Sequence, residues 1–356
     1  MGGKLPPVLA TARNAVRAAL RDTVGATGRP GKGAAAGDLY LVACSGGADS
    51  LALAATAAFL GRKGELRAGA VVVDHGLQAG SAAVAARAVE QARALGLDPV
   101  LLERSAVGGN GSEDDARRAR YAAFDSAADH AGAAGILLGH TLDDQAEQVL
   151  LGLSRGSGTR SLSGMPRARG RYLRPFLGLR RADTEAICAH ERLDYWSDPT
   201  NTERRAARNR VRLDVLPALE TALGPGAAEA LARTAELARE DADYLDHLCA
   251  AALREALDAA PGVPDGVGLP VASLLALDPA LRRRVLRSAV VLAGGEPPAF
   301  ERVRALGLLL EGSDSAGPVQ LAGPVAAFRA RLRGNDGVAS PTLVLVPGAD
   351  PRRPRG

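Results

Sequence analysis

Through the first 155 residues, short unbroken apolar runs alternate with longer stretches whose apolar positions recur every three or four residues. Leu39–Ala43, Ala70–Val73, Val100–Glu103 and Ile136–Gly139 have the length and composition of buried strands. Ser50–Leu60, Ser81–Leu95, Ser112–Ala133 and Leu142–Leu153 carry the helical period. A helix over Val8–Arg21 comes first, followed by a loop, Gly25–Gly37, whose glycines make it flexible. This alternation predicts an α/β class, with a doubly wound, mostly parallel, Rossmann-like sheet covered on both faces. In such sheets ligands gather at the carboxyl ends of the strands. Each predicted strand is indeed followed by polar chemistry.

Beyond Arg155 the texture changes. A long glycine- and arginine-rich loop leads to a helix from Leu179 to about Arg192 and then to "YWSDPTNTERRAARNRVR". From about Leu216 to Gly312 the chain is rich in Ala, Leu, Arg and Glu at helical spacing, which predicts a separate helical domain. Short β-like runs follow at Val319–Leu321 and Thr342–Val346, and the final "PRRPRG" reads as disordered. The expected divisions are therefore 1–215, 216–312 and a short extension, 313–356.

Composition narrows the function classes. With 47% hydrophobic but only 3% aromatic residues, the core must be built from Ala, Leu and Val. The three cysteines, Cys44, Cys188 and Cys249, are far apart and without CxxC spacing, which argues against a disulfide framework, a zinc site or an iron–sulfur site. No signal-peptide core and no membrane-length apolar segment is present, so a soluble, cytoplasmic protein with no membrane partner is expected. The net charge of +4 is uneven: Arg155 to Arg212 holds fourteen arginines against six acids, a local +8 that leaves −4 for the remainder. Such a stretch is either a solvated basic face or a phosphate-contacting surface, since guanidinium forks suit phosphate oxygens.

The first predicted strand runs into Cys44-Ser45-Gly46-Gly47-Ala48-Asp49-Ser50. Small residues leave backbone N–H groups able to converge on an anion, and the following helix adds its positive end. Ser45 and Ser50 supply hydroxyls, and Asp49 suits a magnesium ion shared with phosphate. No Gly-Lys-Ser/Thr follows, so this is not the common mononucleotide loop. After the second strand, the backbone of Val73, Asp74 and His75 is placed to read an adenine edge, although His75 equally suits a strand-end turn. His140, Asp143, Asp144 and Glu147 are spaced to share one face near a helix start. Acids this close repel unless a cation sits among them, either a metal or a substrate ammonium. Glu113, Arg117 and Arg120 share another helical face, as a solvated ion-pair row or as arginines facing a phosphate.

In sum, SGGADS resembles the PP-loop of ATP pyrophosphatases. With "VVVDHGL", "NGSEDDARRARY", "GHTLDDQAEQVLLGLSRGSG", "GMPRARGRYLRP" and "DPTNTERRAARNRVRLDVLPALE", the stretch from about Leu39 to Glu220 resembles the tRNA(Ile)-lysidine synthetase family. The resemblance implies a ligase that uses ATP, Mg²⁺, L-lysine and a tRNA(Ile) with a CAU anticodon. The wobble cytidine is first adenylated at C2, releasing pyrophosphate, and lysine then displaces AMP. It places ATP at Cys44, Ser45, Gly46, Gly47, Ala48, Asp49, Ser50, Val73, Asp74, His75 and Gly139. Catalysis falls to Asp49, Arg117, His140, Asp144 and Glu147, with metal at Asp49 and Glu147 and lysine at Asp144 and Glu147. RNA contacts fall to Arg155, Arg174, Arg208, Arg210 and Arg212, with Asn209 shaping the cleft. It implies a tRNA-binding role for the helical domain, and relatives suggest a homodimer. One departure is Gln148, where the family usually has Thr after the glutamate. The nearest alternative, another PP-loop tRNA-modifying enzyme such as a 2-thiolating one, would carry CxxC pairs that this chain lacks. An ammonia-using synthetase would need a glutaminase domain. A nucleotide-binding regulatory module would not need the acidic helix face.

Overall fold

The computed structural model describes residues 6–26, 37–74, 76, 80–104, 113–156, 158–312, 318–333 and 337–348. His75, the loop Gly108–Gly111 and the "PRRPRG" terminus lie outside the described residues. The chain divides into two compact units. One comprises residues 1–155 and 162–236, and the other residues 156–161 and 237–356.

The first unit is built on a six-stranded sheet. Its strands are β1 (Leu39–Ala43), β2 (Arg67–Asp74), β3 (Val100–Arg104), β4 (Gly135–Leu137), β5 (Ala168–Arg169) and β6 (Tyr172–Leu173), in the order β3-β2-β1-β4-β6-β5. All neighbours are parallel except β5 and β6. Successive side chains of a strand point to opposite faces. Tyr40 and Val42 accordingly join the core beneath α1 (Pro7–Ala26), α2 (Ala48–Arg62) and α3 (Ser81–Ala94). Leu39 and Leu41 join the opposite core, under Phe124, Ala127 and Ala128 of α4 (Glu113–Ala131). A strand buried on both faces must be apolar throughout, which is why β1 reads as an unbroken run.

From β1 the chain winds outward through β2 and β3, then crosses back to β4 on the other side of β1. The loops after β1 and β4 thus diverge at a topological switch point, the position where such sheets open a crevice. After β4 come α5 (Leu142–Ser154), a single turn α6 (Thr159–Leu162) whose first three residues belong to the other unit, the β5–β6 hairpin and α7 (Arg181–His190). The chain continues through α8 (Ala207–Arg210) and a π-turn, Val211–Val215, into α9 (Leu216–Leu223) and the first residues of α10 (Ala227–Asp258).

Two differences from the sequence reading have simple causes. Strand β4 stops at Leu137, because Leu138 to His140 already form the turn toward α5. The hairpin β5–β6 lies inside a stretch read as loop, since two-residue strands are too short to show a period.

The second unit packs α11 (Val271–Leu275), α12 (Pro279–Leu292) and α13 (Phe300–Glu311) on an antiparallel sheet ordered β7-β10-β9-β8. Its strands are β7 (Val267–Pro270), β8 (Val319–Leu321), β9 (Val325–Arg333) and β10 (Ala339–Pro347). Two of these strands escaped the sequence reading. Strand β7 interrupts the helical stretch. Strand β9 ends in alternating arginines, and Arg329 spends its Nη1 on the Leu310 carbonyl at 2.8 Å, near the end of α13. Among the described residues, no helix is long and apolar enough to cross a membrane.

Candidate active site

The loop after β1 is held by its own serines. The Ser45 amide donates to Ser50 Oγ at 3.1 Å, the two hydroxyls are 3.2 Å apart, and Ser50 Oγ donates to the Gly47 carbonyl at 2.9 Å. The Cys44 amide is taken by Val71 of β2 at 2.9 Å. Gly46 adopts φ +81°, a left-handed conformation that glycine takes without strain. The first helical amides, at Ala48, Asp49 and Ser50, have no intrahelical acceptor and carry the positive end of α2. The Cys44 and Ser45 amides are thus already used within the protein, and the amides of the helix start are among those left for an anion. Cys44 is buried, and burial raises its thiol above the ordinary value.

Asp49 is largely buried in the first turn of α2. Thr184 of α7 donates its hydroxyl to Asp49 Oδ1, and Arg181 Nη2 stands 3.7 Å from Oδ2. Burial raises the Asp49 carboxyl above its ordinary value, against the pull of Thr184 and Arg181. The loop after β4 comes down on the same helix end. A Cβ on Gly139 would stand 3.0 Å from the Asp49 carbonyl carbon and oxygen and 3.1 Å from the Ser50 nitrogen. Those are backbone atoms, so a Cβ there could be accommodated only by moving the start of α2. Gly139→Ala is therefore expected to cost about 1–3 kcal/mol, read by urea denaturation, and to lower ATP turnover by shifting the start of α2. Unchanged stability would mean the two loops are not in contact.

Helix α5 opens with a capping box. Thr141 accepts from the Asp144 amide, while Asp144 Oδ2 accepts from the Thr141 amide at 2.8 Å. His140 therefore precedes the helix and reaches the cleft from the strand end, not from the helical stripe that the spacing suggested. The three acids also part company. Asp143 accepts from Arg180 Nε at 3.1 Å and from the Arg181 amide at 2.7 Å. Glu147, with no exposed surface, accepts from Arg208 Nε and Arg212 Nε, each at 2.6 Å. Asp144 Oδ1 takes the other arms of the same arginines, Arg208 Nη2 at 3.0 Å and Arg212 Nη2 at 3.3 Å. Burial would raise the Asp144 carboxyl, but Arg208, His140 and the Thr141 amide outweigh it and hold it below its ordinary value. The cation that the acids require is thus supplied by the chain itself.

His140 is forced the other way. Burial, with Arg174, Arg208 and Arg117 nearby, lowers its pKa from 6.5 to about 4, despite the opposing pull of Asp144. Among the described residues its Nδ1 has no partner. An unfolded chain takes up this proton near 6.5 but the folded one refuses it until about 4, so stability is lost as pH falls through that interval. The melting temperature of the wild type should accordingly fall relative to His140→Gln between pH 6.5 and 4 and run parallel to it above 6.5. Parallel curves throughout would show that the imidazole is not held neutral.

The remaining sequence candidates divide. Arg117 lies with its guanidinium 5.3 Å from the Tyr121 ring centre. Arg155 is exposed at the end of α5. Arg210 is exposed and uses Nη1 on the Arg204 and Arg205 carbonyls at 2.9 and 2.8 Å. Asn209 ties the same turn through the Thr200 carbonyl at 2.8 Å. Arg208 and Arg212 face inward onto the acids, and Arg174 is buried, 4% exposed, so none of these three is a freely displayed surface arginine. Val73 and Asp74 end β2, and Asp74 Oδ1 accepts from the Gly76 amide at 3.1 Å.

Three groups had no sequence signal. Thr184 and Arg181 meet Asp49 only through the packing of α7 on α2. Gln145 clasps the backbone of Met165 in both directions, at 3.0 and 2.6 Å, which fixes the loop before β5. Beside the acids lies a cavity of about 220 Å³ lined by Asp143, Glu147, Arg180, Arg181, Arg212 and Glu220, with Leu216 and Pro217 as its apolar wall.

Comparison with known proteins agrees with this architecture. A family model described as a PP-loop domain matches residues 31–219, and one described as a TilS substrate binding domain matches residues 269–333. A tRNA(Ile)-lysidine synthase of Leifsonia xyli subsp. xyli is 55% identical over 291 residues, covering 81% of this chain and 87% of the relative. That of Streptomyces coelicolor is 50% identical over 298 residues, covering 82% and 83%. Among solved structures, the U34-tRNA thiolase NcsA from Methanococcus maripaludis shares the fold at a TM-score of 0.52 and 18% identity, over 65% of this chain and 80% of the thiolase. Identities at this level over most of both chains place the protein in a family: it is a member of the tRNA(Ile)-lysidine synthase family, with an ATP-using PP-loop domain.

Proposed function

We propose that the protein joins L-lysine to C2 of the wobble cytidine in a CAU-anticodon tRNA(Ile). The C2 oxygen attacks the α-phosphate of ATP and pyrophosphate leaves. The lysine ε-amine then adds at C2 and AMP departs with the former C2 oxygen. The observation that carries the lysine assignment is the mixed-charge cavity beside the acids of α5. Carboxylates suit the two ammonium groups of lysine, guanidiniums suit its carboxylate, and Leu216 with Pro217 suit its methylene stem.

In this reading the first amides of α2, with Ser45, hold the pyrophosphate end of ATP, and Arg117 and neutral His140 orient the α-phosphate. Glu147 lines the cavity, with Asp144 behind it on the same two arginines, and this pair would hold the incoming ammonium only by giving up part of those arginine contacts. Mg²⁺ favours one or two carboxylates together with phosphate oxygens. Asp49 fits that demand, because it stands at the helix start, its nearest cation, Arg181, is 3.7 Å away, and its other oxygen accepts only the neutral Thr184 hydroxyl. Glu147 does not fit, since each of its oxygens lies 2.6 Å from a guanidinium nitrogen. Among the described residues no three His, Cys, Asp or Glu side chains converge on a metal position. When bound, Mg²⁺ would neutralise phosphate charge. Of the five arginines assigned to RNA, the exposed ones are Arg155 and Arg210, which would make those contacts, and the work would take place in the cytoplasm.

The deciding experiment is pyrophosphate release from ATP by purified protein with a CAU-bearing tRNA(Ile) transcript, with and without lysine. Release that depends on the tRNA, with lysine recovered at the wobble cytidine, is the expected result. Release without lysine incorporation would remove the second substrate from this assignment.

A further inference from the structure

Among the described residues of the first unit, Arg174 is a buried charge that charge balance leaves unexplained. It follows β6, whose Leu173 pairs with Leu137 of β4, so it stands at the carboxyl end of the sheet beside the strand that delivers His140. Only 4% of it is exposed, yet among the described residues no carboxylate lies within ion-pair distance. Its Nη1 donates to the Pro166 carbonyl at 3.0 Å, while its Nε–H is buried without an acceptor. Tyr121 is its polar neighbour and hydrogen-bonds it, while the formal charges that act on it are like charges, Arg117 and Arg169. A buried guanidinium without a counter-ion is costly, and guanidiniums this deep are normally paired. Close by, the Nδ1 of His140 is buried and equally without a partner. Two orphaned polar atoms therefore lie at the ends of neighbouring strands, with Arg117 of α4 near enough to act on both side chains, in a place that holds excess positive charge.

We propose that Arg174 completes a phosphate site with Arg117 and His140, its unpaired Nε–H being kept for a phosphate oxygen. This rests on the reading above that Arg117 and His140 face the reacting phosphate, and it moves Arg174 from the RNA-facing surface to the floor of the cleft. The oxygen belongs either to the adenylyl group or to the RNA backbone at the anticodon, and the two are separable by probe.

The full-length protein and its Arg174→Met and Arg174→Gln variants are titrated with AMP and, separately, with a CAU anticodon stem-loop RNA. Thermal melting is followed without ligand. Loss of charge-assisted hydrogen bonds to phosphate should weaken binding about tenfold or more. The melting temperature of the free variants should not fall, because an unpaired buried charge has been removed. A loss confined to AMP assigns the oxygen to the nucleotide, and a loss confined to the RNA assigns it to the anticodon backbone. Unchanged affinity for both probes overturns the proposal. So does failure of both variants to fold, since a charge kept for a ligand is not needed for folding. The assignment of lysine is read apart from this: AMP affinity that depends on Arg174 in a protein that ignores lysine would remove only the second substrate.

Discussion

Glu147→Ala is expected to destabilise the protein by about 3 kcal/mol, measured by urea denaturation. The carboxylate is wholly buried and each oxygen holds the Nε–H of a different arginine. Removing it leaves Arg208 and Arg212 facing only Asp144, one carboxylate for two guanidiniums. Breaking a buried pair from one side costs more than the pair itself contributes, because an uncompensated charge remains. The figure sits at the low end of the usual range since Arg208 and Arg212 retain side-chain exposures of 27% and 19% and can turn partly to water. An exposed bridge such as Arg167–Glu236 should by contrast cost less than about 1 kcal/mol when broken. Two further variants sharpen the result. Arg208→Met together with Glu147→Ala should recover part of the loss, as the orphaned charge goes with its partner. Glu147→Gln should retain most of the packing but not the charge, and fall between. If Glu147→Ala were as stable as the wild type, the inward clamp of Arg208 and Arg212 would not form in solution, and both arginines would return to the RNA-facing role that the charge pattern suggested.

This clamp also marks the boundary of what the sequence could disclose. The β1 run, the SGGADS turn and the acids after β4 are local patterns, and local patterns report on neighbours in the chain. They placed the PP-loop at the carboxyl end of a strand and showed that three close acids require a cation. They could not say which cation, because the answer lies some sixty residues downstream, in Arg208 and Arg212, and is reached only by folding. The excess of arginine over acid in that stretch was the trace of it, read as a surface when part of it is a counter-charge. Thr184 illustrates the complementary limit. A threonine on a helix carries no signal of its own, and its contact with Asp49 exists because α7 packs on α2. The missed strands have another cause. Strand β6 is two residues long, β7 is embedded in helical surroundings and β9 mixes core positions with arginines, so none offers enough repeats of a two-residue period to stand out.

Asp49→Asn should separate chemistry from folding more cleanly than any other change. The side chain sits where burial already disfavours its charge, so its carboxyl titrates above the ordinary 3.8. A group whose folded pKa is raised costs stability once the pH passes its unfolded value, and an uncharged isostere escapes that cost. The asparagine Oδ1 still accepts from Thr184, so the tie between α2 and α7 survives. The variant is therefore expected to melt at the wild-type temperature or slightly above it at pH 7, and to coincide with it in acid. Activity should move in the opposite direction. If Asp49 is the carboxylate that brings Mg²⁺ to the phosphates, neutralising it should lower tRNA-dependent pyrophosphate release roughly a thousandfold, the scale of several kcal/mol of lost charge stabilisation. Raising Mg²⁺ should recover part of that loss, because the phosphates themselves still attract the ion. A thousandfold loss with unchanged or improved folding is a signature that packing cannot produce. Wild-type release by Asp49→Asn would instead make Asp49 a structural cap of α2, and the metal would have to be held by the nucleotide alone.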